Sequence, residues 1–289
     1  MSFDNVYEAL TGDGDARWAF GTGFADPLNG VDTTVPPDVD GADLAAYCLM
    51  LGDDALIMSH RLQEWCTNAP DLEEEVALAN IGLDLLGQTR LLYARAGHAA
   101  DTARGEDHYA FFRDAEEFAN VRLVELPRGD FGDLIARLLV FATWRLALLQ
   151  RLIPSRDPVL AAIAAKGVKE VAYHRDHAAQ WAVRLGDGTD ESHRRMRDGF
   201  ERIWPLVGEL FTAHEVEERL TRSGVAADPA GLRAEFDAVL DQVLTAATLH
   251  RPADVPSDPD GRRGRHTDAL GPLLAELQSV ARAHPEATW

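Results

Sequence analysis

Two stretches constrain this chain more than any others. Residues 76–94 (VALANIGLDLLGQTRLLYA) and 131–152 (FGDLIARLLVFATWRLALLQRL) carry helix-forming residues but are apolar around most of their circumference. A helix of that kind is stable only where other elements cover it. Both are flanked by segments with a single apolar stripe. Leu44, Cys48, Leu51, Ala55, Met58, Leu62 and Trp65 alternate steps of four and three, and Leu160, Ile163, Gly167, Val171, His174, Ala178, Trp181 and Leu185 keep the same period. The punctuation agrees. Pro70 closes one segment, Asp71 with Glu74 opens the next in capping-box fashion, and Asp157-Pro158 supplies an N-cap and a first-turn proline. Long helices are predicted over 41–66, 71–97, 130–152 and 158–185, an all-α four-helix bundle. Further helices are predicted over 106–125, over 189–213 with a kink at Pro205, over 229–249 and over about 268–283, with residues 251–268 a loop. No stretch alternates as a strand would.

Composition narrows the function. The 289 residues are 46% apolar and 26% charged, ordinary globular values, but the net charge is −20. That excess argues against nucleic acid and anionic membranes as partners, since both call for a basic face. No apolar run reaches the roughly 18 residues of a membrane span. The acidic N-terminus offers no signal segment, and Cys48 and Cys66 would lie about 27 Å apart on one helix, too far to pair. A reduced, cytoplasmic protein is expected. Residues 1–40 hold eight acidic residues against Arg17 and are rich in Gly and Pro. They read as a mobile acidic extension, favoured over the alternative of a strap lying on a surface, with residues 41–289 forming a single helical domain.

A long four-helix bundle raises the question of a di-iron site. That site takes a Glu from each of two helices and Glu-x-x-His from each of the other two, a spacing that puts both ligands on one inward face. Of the ten histidines, only His193 has an acidic residue three positions earlier, Asp190, and it stands at a helix start without a second copy. The ligand set is missing, and no metal is expected in this chain. The nearest alternative set is Glu64, Asp84, Glu170 and His174. Glu170, His174 and His177 share one stripe, but ordinary ion pairing accounts for them equally well. The segment GRRGRH (261–266) also stands out in so acidic a chain. Arg262, Arg263 and Arg265 could clamp a phosphate-bearing group or an acidic partner surface, or could simply balance Asp254, Asp258 and Asp260 in a solvated loop.

Three segments carry a family resemblance: LANIGLDLLGQ (78–88), KE-x-x-YH (169–174) and G-x-HT-x-x-LGP-x-LAE-x-Q (264–278). Over about residues 43–289 the chain resembles the PaaC family, one of the subunit families of phenylacetyl-CoA epoxidase. The resemblance implies a ferritin-like bundle with additional C-terminal helices. It implies a non-catalytic structural subunit that stabilises a di-iron catalytic oxygenase subunit, forming a heterodimer that pairs into a heterotetramer. The whole system epoxidises the ring of phenylacetyl-CoA with electrons from a reductase carrying NADPH, flavin and iron–sulfur chemistry. No catalytic residue is implied in this chain. It implies that Asn80, Leu83, Val171 and His174 occupy the positions of a vestigial metal site, and that Arg262, Arg263 and Arg265 could meet the CoA phosphates.

Overall fold

A computed structural model describes residue 28 and residues 30–102, 104–255 and 260–287. Helix α1 (Gly41–Gln63) starts at Asp40, whose carboxylate accepts from Ala42 N and Asp43 N. Helix α2 (Leu72–Ala99) starts at Asp71, which accepts from Glu74 N. The short α3 (Glu106–Phe111) begins the crossover to α4 (Phe131–Leu152), which is opened by a reciprocal cap between Asp130 and Asp133. Helix α5 (Pro158–Gly186) follows, with Asp157 accepting from Leu160 N and Pro158 in the first turn. Then come α6 (Asp190–Ile203), α7 (Glu215–Arg222), α8 (Arg233–Ala246) and α9 (Leu270–Ala283).

The bundle is two hairpins, α1 with α2 and α4 with α5, joined by one long crossover, which is the ferritin-like connection. Helices α6 and α8 pack on α4 and α5, while α9 packs against α3 and the crossover. The α4–α6 crossing is close because glycines meet there: a Cβ on Gly199 would come within 2.9 Å of the Gly132 carbonyl oxygen. Among the described residues there is no strand, and no helix is long and apolar enough to cross a membrane.

The four long helices match the sequence expectation closely. Four details differ. Residues 106–125 do not form one helix; they form α3 and two short 3-10 turns, Ala115–Glu117 and Arg122–Glu125, separated by extended backbone. The reason is electrostatic. Ala119 N donates to Asp53 and Val121 N to Asp54, at 2.8 Å each, so two amides a helix would use internally are drawn to buried carboxylates on α1. The expected helix over 189–213 ends at Ile203, and Pro205 continues as a 3-10 turn from Trp204 to Phe211. Helix α7 was not anticipated; His214 caps it, and Val216 N donates to Nδ1 at 3.3 Å. Finally, packing begins before residue 41. Val31, Val35 and Val39 lie against the core, and Arg156 holds Asp38 with two hydrogen bonds of 2.7 Å. This part of the expected mobile extension is a strap on the bundle; residues 1–27 lie outside the described residues.

Candidate functional site

The four long helices meet in a buried polar layer. Arg145 of α4 is fully buried, and its Nη1 donates to the Leu51 carbonyl of α1 at 3.1 Å. Its Nη2 donates to Gln88 Oε1 of α2 at 3.2 Å, and Gln88 Nε2 donates to Glu170 Oε2 of α5 at 3.1 Å. Lys166 holds the other oxygen of Glu170 at 2.6 Å. On the far side of Arg145, Asp54 Oδ2 stands 4.0 Å away. Asp54 is itself held by Arg262 through bonds of 2.9 and 2.8 Å. Burial pushes the Arg145 guanidinium down to about 10, against the pull of Asp54. It therefore keeps its charge at neutral pH.

Two further polar contacts join α2 to α5. His174 Nε2 lies 3.0 Å from Asp84 Oδ2, and His177 Nε2 lies 3.1 Å from Glu74 Oε2. Each ties one helix edge to its neighbour. Of the alternative ligands, only Asp84 and His174 touch each other. Glu170 is engaged by Lys166 and Gln88, and Glu64 by Arg61 at 2.5 Å. Among the described residues, no group of three or more His, Cys, Asp or Glu side chains is arranged to hold a metal ion. A pair of irons needs several carboxylates facing one space. At this level the bundle instead presents two carboxylates, Glu170 and Asp54, each already held by a cationic side chain, with Gln88 and Arg145 between them, so the donor set does not fit.

The four vestigial positions do not meet either. Val171 and His174 are buried on α5, but Asn80 and Leu83 of α2 face outward, Leu83 with 56% of its surface exposed. The α2 residue that reaches His174 is Asp84, one step of about 100° further round the helix.

The arginines of GRRGRH also part company. Arg262 turns into the core, where it binds Asp54, the Met50 carbonyl at 3.0 Å and the Ala119 carbonyl at 2.8 Å. Burial opposes its charge, but Asp54 holds the guanidinium above the usual arginine range. Arg265 pairs with Asp260, and Arg263 is exposed. Of the three arginines expected to act together, the first, Arg262, is a core tie, and only Arg263 and Arg265 stay at the surface. Next to it, Glu125 accepts from Thr267 N and Oγ1, at 2.7 and 2.6 Å, and pairs with His266 at 2.6 Å.

Sequence reasoning passed over Asp53, Asp54, Gln88, Arg137 and Arg145. A signal was present. Arg137 and Arg145 are eight residues apart, on one face of the most apolar helix in the chain, where a charge must have a specific partner.

The fold and this layer define an all-α, ferritin-like protein whose bundle centre is polar but not carboxylate-rich. The chain belongs to the phenylacetic acid catabolic protein family, whose profile matches residues 29–289. It is similar to the C subunit of the 1,2-phenylacetyl-CoA epoxidase of Escherichia coli (strain K12), with 46% identity over 246 residues, covering 85% of this chain and 99% of that protein.

Proposed function

We propose that this chain is a non-catalytic structural subunit of a cytoplasmic phenylacetyl-CoA epoxidase. In this reading it packs against a di-iron catalytic subunit, which performs the ring epoxidation with electrons from a separate reductase. The heterodimer then pairs into a heterotetramer. The E. coli relative is by name a subunit of such an epoxidase. The observation that carries the structural role is Arg145. Where four helices converge, the chain supplies its own cation, hydrogen-bonded to Gln88 and Leu51, and the carboxylates near it, Glu170 and Asp54, are already held by Lys166 and Arg262. A cation fixed in the bundle repels a metal ion and keeps the layer ordered without one.

The same reading gives a use to the outer face of α2. Leu72, Val76, Leu83 and Leu86 form one stripe of exposed apolar side chains along it, and Tyr173 of α5 is exposed as well. Singly exposed apolar residues are ordinary, but a row of them along one helix marks an interaction surface. Obligate interfaces bury roughly 2,000 Å² or more.

The test is to purify the chain alone and together with a co-expressed di-iron oxygenase subunit, then load each anaerobically with ferrous iron. The expected result is a stoichiometric complex with all its iron in the partner, and a chain that alone binds none and self-associates. A pair of irons bound to the isolated chain overturns the reading, and so does a monodisperse monomer that ignores the partner.

A further inference from the structure

A second buried arginine lacks the partners that Arg145 has. Arg137 lies two turns earlier on α4 and is 2% exposed. Its Nη1 donates to the Leu126 carbonyl, but Nε and Nη2 have no hydrogen-bond partner. Those two nitrogens form the side-on edge of a guanidinium, the edge that grips a carboxylate through two parallel bonds. Arg137 lines a cavity of about 310 Å³ between the Leu126–Asp130 segment and the end of α6. The charges around it are few. Asp133 and Arg202 line the same cavity and pair with each other, and Arg61 and Glu64, paired together, lie behind Arg137. Burial presses the Arg137 guanidinium down to about 10, so it is charged at neutral pH.

These features define a ligand. Counting Arg137, Arg202 and Asp133, the cavity carries one net positive charge, which a monoanion neutralises. A dianion would meet the Asp133 carboxylate. The remaining walls are Leu126, Pro127, Gly129 and Ile203, which suit an apolar body, and the volume is at the lower end of that of small-molecule pockets. We infer that the cavity between residues 126–130 and α6 is a binding site for a small organic carboxylate, gripped by Arg137. Nε and Nη2 are closed to water in the unliganded chain, so a ligand in the cavity reaches them only when the packing between them and the cavity gives way. The site is independent of the polar layer and does not rest on the role proposed above.

The experiment is calorimetric titration of the full chain, alone and in complex with its catalytic partner, at constant ionic strength. The probes are phenylacetate, acetate, inorganic phosphate and chloride. Saturable binding of phenylacetate, weaker binding of acetate and none of phosphate or chloride is expected. Arg137→Met should weaken phenylacetate binding by roughly tenfold or more, the worth of a charge-assisted pair of bonds. This variant should still fold, because it replaces an unsatisfied buried charge with an apolar side chain of similar length. Arg202→Gln, at an exposed rim, gives a second folded variant with a smaller loss. No saturable binding of any carboxylate overturns the inference, as does phosphate binding as well as phenylacetate, or Arg137→Met leaving the affinity unchanged. Binding to the chain alone that disappears in the complex also overturns it, because the partner would then fill the site.

Discussion

Helices α2 and α4 look alike in sequence and end in different surroundings. From Leu134 to Leu149 every residue of α4 is buried, two arginines included. Helix α2 buries Leu78, Ile81, Leu85 and Leu92 on one side and leaves Leu72, Val76, Leu83 and Leu86 open on the other. The difference lies in what covers them. Helices α5, α6 and α8 close over α4, whereas α2 has α1, part of α5 and the small α3. An apolar circumference states that a helix must be covered; it does not state whether its own chain or another one does the covering. In the role proposed above, the uncovered side of α2 is the part of this molecule that a second protein completes.

That contrast can be broken by substitution. Leu139→Asp would put an unpaired charge in the fully buried stretch of α4, and no soluble folded chain is expected; recovery of a cooperative unfolding transition would refute the account of α4. Asp54→Asn attacks the tie between α1, the crossover and residues 260–264. It strands Arg262 in the core and should cost about 3–5 kcal/mol in denaturant unfolding. Leu83→Asp should change the stability of the isolated chain by no more than about 0.5 kcal/mol. The same change should weaken assembly with the catalytic partner by about 2 kcal/mol or more, read by analytical ultracentrifugation. Equal effects of Leu83→Asp on stability and assembly would erase the distinction between the two helices.

The smallest effect concerns pH. Burial pushes the His266 imidazole down, but the Glu125 carboxylate and the Phe118 carbonyl more than offset it, and its folded pKa lies above the ordinary 6.5. The folded state therefore holds this proton more tightly than the unfolded chain. The stabilisation is complete below about pH 6.5 and is lost as pH rises through the folded value. Unfolding of wild type and His266→Gln across that range should converge at the alkaline end; parallel curves would remove His266 from the account.

The long helices were legible because burial on one side imposes a period of 3.6, and that period is written in the sequence. Their starts at Asp71, Asp130 and Asp157 were legible because a cap is a local interaction. The crossover was not. FFRDAEEFANVRLVE has helical composition, yet Arg113 reaches Asp53 at 2.5 Å and the Ala119 and Val121 amides turn to α1. Those partners lie some sixty residues away in the chain, beyond the reach of any window. The site was partly legible. The missing Glu-x-x-His pairs could be counted, but which α2 residue meets His174 depends on helix rotation. Asp84 and Leu83 are neighbours in the chain, yet one meets His174 and the other lies on the outer face.

The strap over residues 31–40 sets an order of events. The Thr33 carbonyl is held at 2.5 Å by Arg95, which also pairs with the buried Asp157 at the start of α5, while Asp38 is held by Arg156 just before it. These anchors come from opposite hairpins, so the strap's docking place exists only once α1–α2 and α4–α5 have come together. The segment that emerges early in synthesis is thus the last to settle. In hydrogen exchange its amides should open first, while the hairpins beneath it still hold.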